Sequence, residues 1–448
     1  MFTISCLKMK KIAFFSFVLV SALLWPSALM SQETHAISLE EAVSIALDQN
    51  WQVRKSLQEL QQVKADRSSS LAAFLPTVEV SSMYAVTNDP LYAFGYKLQQ
   101  GVVTQADFNP ELLNDPGTTK NFNAGIEVVQ PLFNIDAWQG RGATGSAIRA
   151  VENKAAFTRQ HIVFLVKRSY YALQLAHGQI DVLSKALAAA KSYHKMAADN
   201  FEQGYVKHAD VLSVQVRVLE LEAQLQMANN QLVAAKENLN FLMGKSAGLP
   251  VSALDSLSAV ALPVFSVSST ENRADLQAMA FGLEAQKKQL QMSRYRFAPR
   301  INAMGTYGFN NESFKLDKDS WMVGIKLQWR LFDGMRQVSA VRKNSSALLV
   351  AQTEYESHLN QSNMDLMQLM RSIQLNYSKK DVYELSVTQA EQAMKIRSDR
   401  YQEGLERTSD LMMAESQLAE TRLKYLQSVY EFNVAVFQYE WLSGQSNN

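Results

Sequence analysis

Two aspartates carry the most specific chemistry in this chain, because they stand at matching places in a repeated stretch. Asp210 follows Phe201 and Gly204, and Asp410 follows Tyr401 and Gly404. Each acid opens a long helix-forming run, where a carboxylate can accept a hydrogen bond from a free first-turn N–H. Residues suited to catalysis are scattered. The histidines (His35, His161, His177, His194, His208, His358) form no His-Glu-x-x-His pair, and the one cysteine, Cys6, stands by itself. His194 and His208 flank the first aspartate's turn, a spacing that suits solvated surface better than a ligand pair. No glycine-rich phosphate loop occurs, so the chain is not expected to power work by nucleotide hydrolysis. Met364, Met367 and Met370 have helical spacing, and core filling is the expected role. A soft-metal path is the weaker reading, since no Cys or His lies nearby. No catalytic residue, metal site, cofactor or enzymatic activity is expected.

The elements around the aspartates repeat. Asn200–Gly244 and Arg400–Gly444 match in register about 200 residues apart, which marks an internal duplication. Phe74-Leu75-Pro76 matches Phe297-Ala298-Pro299 further upstream. The expected organisation is a first repeat over 37–244, a joining segment over 245–270 and a second repeat over 271–444. The turns that carry the aspartates fall at 201–210 and 401–410. The first repeat also holds an insert, Asn88–Lys120, whose Asn, Asp, Pro and Gly content reads as a long loop.

After each aspartate a seam of ten positions steps by three and four. In the first repeat it runs Val211, Val214, Val218, Leu221, Leu225, Ala228, Leu232, Ala235, Leu239, Leu242. In the second it runs Leu411, Ala414, Leu418, Thr421, Tyr425, Ser428, Phe432, Ala435, Tyr439, Leu442. That spacing is the 3.5-residue period of a coiled coil. The preceding runs, Asp136–Asn200 and Met335–Arg400, are the expected antiparallel partners. At 1.5 Å per residue they reach about 100 Å, far taller than an ordinary globular domain. A soluble coiled-coil rod would satisfy the helices.

Four short segments, 77–87, 121–130, 301–310 and 321–330, argue otherwise. Apolar residues alternate with polar ones in each. Val78, Val80, Tyr84, Phe122, Ile126, Tyr307, Trp321, Ile325 and Trp329 take one side, the expected lipid face; Glu79, Glu127, Lys326 and Arg330 take the other. Segments of about ten residues with this alternation are the signature of an outer-membrane β-barrel. An open sheet edge cannot face lipid, and four strands cannot enclose a channel. Several chains must therefore share one barrel.

Lys8, Lys10 and Lys11 precede an apolar run, Ile12–Trp25, the pattern of a secretory leader. The leader is expected at 1–31, with cleavage between 28 and 36, which leaves a processed chain without cysteine. With 44 Lys+Arg against 43 Asp+Glu, no basic stripe points to nucleic acid.

On these residues the chain resembles the TolC-like outer-membrane efflux and secretion channels, from Ser38-Leu39-Glu40-Glu41-Ala42 to Leu442-Ser443-Gly444. The aromatic-x-x-Gly-x5-Asp signature at both turns is the most specific element. The resemblance implies an α+β membrane protein: a homotrimer whose chains each give four strands to one transmembrane β-barrel and helices to a long antiparallel coiled-coil barrel in the periplasm. It implies a passive exit duct in the outer membrane, opened by a periplasmic membrane-fusion adaptor and an inner-membrane transporter, as part of a tripartite efflux pump or a type I secretion system. Adaptor contact would fall on Gly204, Tyr205, Val206, Gly404 and Leu405. The constriction would fall on Asp410, with Met413 one turn on where many members place a second acid. Glu406 stands where some members carry an arginine. The alternative is a periplasmic coiled-coil scaffold that never enters the membrane.

Overall fold

The computed structural model describes residues 35–265 and 273–444. The expected leader at 1–31 and residues 266–270 of the joining segment lie outside them. The described chain opens with strand β1 (His35–Ile37), then helices α1 (Leu39–Gln49) and α2 (Trp51–Ser69). Asn50 separates the two helices. Its side-chain oxygen accepts the Gln52 N–H at 2.8 Å, and its Nδ2 donates to the Leu242 carbonyl at 2.8 Å. One residue thereby caps α2 and ties it to the far end of a helix nearly two hundred positions on.

Two helical hairpins dominate. Helix α5 (Ile135–Glu202, 68 residues) returns as α6 (His208–Leu242). Helix α8 (Arg336–Gln402, 67 residues) returns as α9 (Thr408–Ser443), and α7 (Ala274–Tyr295) lies against both long helices. Met335 is not the first residue of α8. It takes a left-handed backbone (φ 69°) just before it. The longest helices rise about 100 Å. Every one of the ten seam positions on α6, and every one on α9, is buried or half-buried. The polar seam members are satisfied locally: the Thr421 hydroxyl donates to the Gln417 carbonyl at 2.6 Å and Ser428 to Tyr425 at 2.7 Å. A buried hydroxyl would otherwise cost about 1–3 kcal/mol.

Core filling does not describe Met364 and Met367. Both are exposed, and only Met370 packs on the core. Leu366, Leu369 and Ile373 occupy the buried stripe of α8 instead, so the methionines fall on the outward side of the helix.

Gly244 ends α6 where no other residue fits. Its φ is 71°, and a Cβ there would stand 2.5 Å from the Gln49 carbonyl oxygen. Close by, the short strand β4 (Val251–Ala253) pairs in parallel with β1. The Tyr170 hydroxyl bridges that level, donating to the Ile37 carbonyl at 3.0 Å and accepting the Leu254 N–H at 3.2 Å.

Strands β2 (Thr77–Thr87), β3 (Thr119–Phe133), β5 (Arg300–Asn311) and β6 (Asp319–Gln328) form one antiparallel sheet in the order β2-β3-β5-β6. The strand expected at 321–330 lies two residues earlier. Trp329 is thus past its end, and its indole N–H donates to the Phe297 carbonyl at 2.9 Å. Among the described residues, β2 and β6 each pair on one side only.

The insert 88–120 is not a loop throughout. It holds helices α3 (Pro90–Gln100) and α4 (Pro110–Asn114). Both begin at an Asx-Pro pair. Asp89 accepts the Leu91 and Tyr92 N–H groups at 3.0 Å, Asn109 accepts that of Glu111, and proline suits the first helical position. Gly101 (φ 65°) closes α3. Gln100 then donates to the Asn121 side chain at 2.9 Å. Asn121 donates to Asn310 at 3.1 Å, and so does Asn123. The insert is thereby fastened to the polar side of the sheet, at the end farthest from the long helices.

Candidate functional site

Each helical hairpin turns through the same backbone device. At the first turn the Tyr205 N–H donates to the Asn200 carbonyl and the Gly204 N–H to that of Phe201, both at 2.9 Å. At the second, Leu405 donates to Arg400 at 2.9 Å and Gly404 to Tyr401 at 3.0 Å. These paired bonds require a left-handed residue, and the glycines supply it with φ values of 79° and 74°. No atom lies within 4 Å of where a Cβ would stand at either glycine, so conformation and not space selects them.

The two aspartates diverge. The Asp210 carboxylate accepts the Lys207 N–H at 3.1 Å and closes the first turn of α6. The Asp410 carboxylate is half-buried and makes no hydrogen bond or ion pair among the described residues. Met413, one turn on, is 70 % exposed. The remaining turn residues also differ in exposure. Tyr205 is 77 % and Leu405 63 % exposed, whereas Val206 is half-buried.

The second turn is braced by charge. Glu406 receives Arg397 at 2.8 Å and Arg400 at 2.9 Å, while Arg400 also donates to the Leu405 carbonyl at 3.2 Å. An acid thus holds two arginines of α8. Tyr401 is buried beneath this clamp, beside Met394 and Leu411. Above it the hairpins are joined. Arg217 of α6 donates to Glu415 of α9 at 3.0 Å, and the Tyr193 hydroxyl of α5 lies 3.4 Å from that of Ser398 of α8. Burial pushes the Glu415 carboxyl above its ordinary range, against the pull of the Arg217 charge. The sequence held no signal for Arg217–Glu415, because its partners are 198 positions apart. The clamp on Glu406 was closer to legible, since all three residues straddle one turn.

The strand register gathers the apolar set on one side. Val80, Ile126, Tyr307 and Trp321 form one row across all four strands, and Val78, Val128, Gly305 and Val323 form the next. Tyr84 stands opposite Phe122, and Ala303 opposite Ile325. The other side is polar and places Glu79 directly opposite Glu127. Like charges in facing positions destabilise a sheet unless water screens them. Among the described residues no helix is long and apolar enough to cross a membrane, and no group of three or more His, Cys, Asp or Glu is gathered.

Comparison with known proteins agrees with this architecture. The family model of the outer membrane efflux protein matches residues 42–245 and 266–437. The alkaline protease secretion protein AprF of Pseudomonas aeruginosa is 20 % identical over 93 % of this chain and 86 % of its own. The multidrug resistance outer membrane protein MdtP of Escherichia coli is 25 % identical over 54 % of this chain and 53 % of its own. Among solved structures, the outer membrane protein VceC of Vibrio cholerae superposes with a TM-score of 0.78 at 18 % identity, covering 94 % of this chain and 99 % of its own. CusC superposes with a TM-score of 0.78 at 17 % identity, covering 94 % and 95 %. With the reading as a scaffold that never enters the membrane set aside, the chain belongs to the outer membrane efflux protein family, and its place is the outer membrane, with the helical part in the periplasm.

Proposed function

We propose that this chain is the passive outer-membrane exit duct of an export system, assembled as a homotrimer with one shared barrel. The observation that carries the reading is the four-stranded sheet: on one side apolar rows such as Val80–Ile126–Tyr307–Trp321 cross all four strands, and among the described residues β2 and β6 each keep a free side. In lipid each unpaired backbone group costs several kcal/mol, so β6 of one chain must meet β2 of the next. Three chains then give a barrel wide enough for a channel, with Glu79 and Glu127 in its watered lumen. The hairpins α5–α6 and α8–α9 continue the duct as the wall of a coiled-coil tunnel. The names of its relatives span protease secretion and multidrug resistance, so cargo class does not follow from family.

Tyr205, Val206 and Leu405, with the turn glycines Gly204 and Gly404, are the contact surface for a periplasmic adaptor that couples the duct to an inner-membrane transporter. Asp410 and Met413 form the aperture. Asp410 has its carboxylate free of any cap, and Met413 projects into solvent beside it. Light scattering in detergent tests the assembly: three chains per particle are expected, and a monodisperse single chain with its strand signal intact would overturn it. Polar substitutions at Val206 and Leu405 are expected to leave the trimer whole and abolish export. Normal export with both changed would exclude docking at the turns.

A further inference from the structure

Four arginines from four different elements converge at the foot of the sheet. Arg296 follows α7, Arg300 opens β5, Arg330 follows β6 and Arg336 lies in the first turn of α8. Together they line one cavity of about 380 Å³. Arg300 is paired with Asp136 of α5. The guanidinium groups of Arg296, Arg330 and Arg336, all three residues exposed, have no hydrogen-bond or ion-pair partner among the described residues. The carboxylate in the wall, Asp333, accepts the Gln337 N–H at 3.3 Å through one oxygen, and its other oxygen is buried without a partner among the described residues. A guanidinium cannot shed its proton, so three exposed cations and the one Asp333 carboxylate leave this space net positive.

A second feature points the same way. Helix α8 carries 67 aligned peptide dipoles, yet it has no acidic residue in its first turn and no side-chain cap from Met335. Its positive end opens onto the cavity through Arg336 and Gln337, with the Gln337 N–H taken up by Asp333. Three unpaired forked donors beside a helix N-terminus, around a space of this size, make an oxyanion receptor.

The register says which side of the sheet it serves. Arg300 faces Gln328 across the β5–β6 pair, and both point away from the side that holds Ile301, Ala303, Ile325 and Leu327. Trp329, next to Arg330, is exposed just past the end of β6. A lipid headgroup would approach from the apolar side, whereas a solute in the duct would approach from the polar side.

We infer that this cavity binds a phosphate or carboxylate group of solutes passing from the tunnel into the barrel, an inference that rests on the duct reading only for the source of the anion. Inorganic pyrophosphate is the probe, titrated calorimetrically into the full-length protein in neutral detergent. Arg296→Gln, Arg330→Gln and Arg336→Gln together are expected to weaken binding by about tenfold or more, which corresponds to about 1.4 kcal/mol. Lys326→Gln, on the same side but outside the cavity, is expected to leave binding within about twofold. The three arginine-to-lysine replacements keep charge and lose the forks, so intermediate affinity is expected, with native-gel mobility checking assembly. No binding to the wild type, or equal binding to the triple glutamine variant, overturns the site. Loss of binding to phosphatidylglycerol vesicles instead of pyrophosphate assigns the cavity to a headgroup and overturns the solute assignment. In planar bilayers pyrophosphate should reduce wild-type current and spare the triple variant. Arginine-dependent binding without any effect on current would keep the receptor and overturn its place in the duct.

Discussion

Arg217 of α6 and Glu415 of α9 meet at 3.0 Å with their side chains 14 % and 5 % exposed, one from each helical hairpin. Burying one charge without its partner is far costlier than burying neither. Glu415→Gln or Arg217→Met is therefore expected to destabilise the helical part by about 3–5 kcal/mol. Replacing both with apolar residues of similar volume should recover most of that loss. Denaturant unfolding followed by helical circular dichroism measures it. Additive single losses, with no recovery in the double variant, would mean the pair does not couple the hairpins.

Gly244 and Gly204 share a left-handed backbone but differ in surroundings. Gly204→Ala meets open space and should cost about 1–2 kcal/mol, the strain of a Cβ in that conformation. Gly244→Ala adds a collision with the Gln49 carbonyl and should cost more than Gly204→Ala, with loss of the α1–α6 join. Thermal melts of the two variants test the order, and equal melting points would refute it.

Ile325 and Lys326 are neighbours on opposite sides of β6. Ile325→Arg should cost about 2–4 kcal/mol at mid-membrane, whereas Lys326→Gln should cost little. The yield of assembled particles separates them. Equal losses would mean that the apolar side does not face lipid.

Asp210 and Asp410 occupy the same position in their helices, yet only Asp210 caps. Asp210→Ala should lower helix stability by about 1 kcal/mol and leave conductance unchanged. Asp410→Asn should leave stability unchanged and lower cation selectivity in single-channel recordings, because a ring of like carboxylates attracts cations. If the two variants behave alike, the aperture lies elsewhere.

His161 of α5 stacks on Trp441 of α9 with ring centres 4.7 Å apart, and burial, reinforced by the Arg168 charge, lowers its affinity for protons. An imidazole lowered in the folded state adds stability that is full above its ordinary value of about 6.5 and is lost as pH falls below that. Stability should therefore decline from pH 7 towards pH 5, and His161→Phe should flatten that part of the profile. An unchanged slope in the variant would exclude this histidine as its cause.

Periodicity was enough to find the seams on α6 and α9, the four alternating strands, the turn glycines and the apolar side of the sheet. Those features repeat over a few residues, and each position's environment follows from its neighbours along the chain. Local signals in the insert were present but outweighed: Asp89-Pro90 and Asn109-Pro110 start helices inside a stretch whose composition reads as loop. What the first of them, α3, rests on, the Gln100–Asn121–Asn310 ladder, depends on the β3–β5 register. Tertiary structure alone decided that Met364 and Met367 face outward, because the stripe of Leu366 and Ile373 had first claim on the core. It also decided that Asp410 is left free while Asp210 is bonded, that Arg217 meets Glu415, and that four arginines spread from 296 to 336 share one cavity. Each is a meeting of residues whose distance in space is set by how helices and strands pack, a quantity that no sequence spacing encodes.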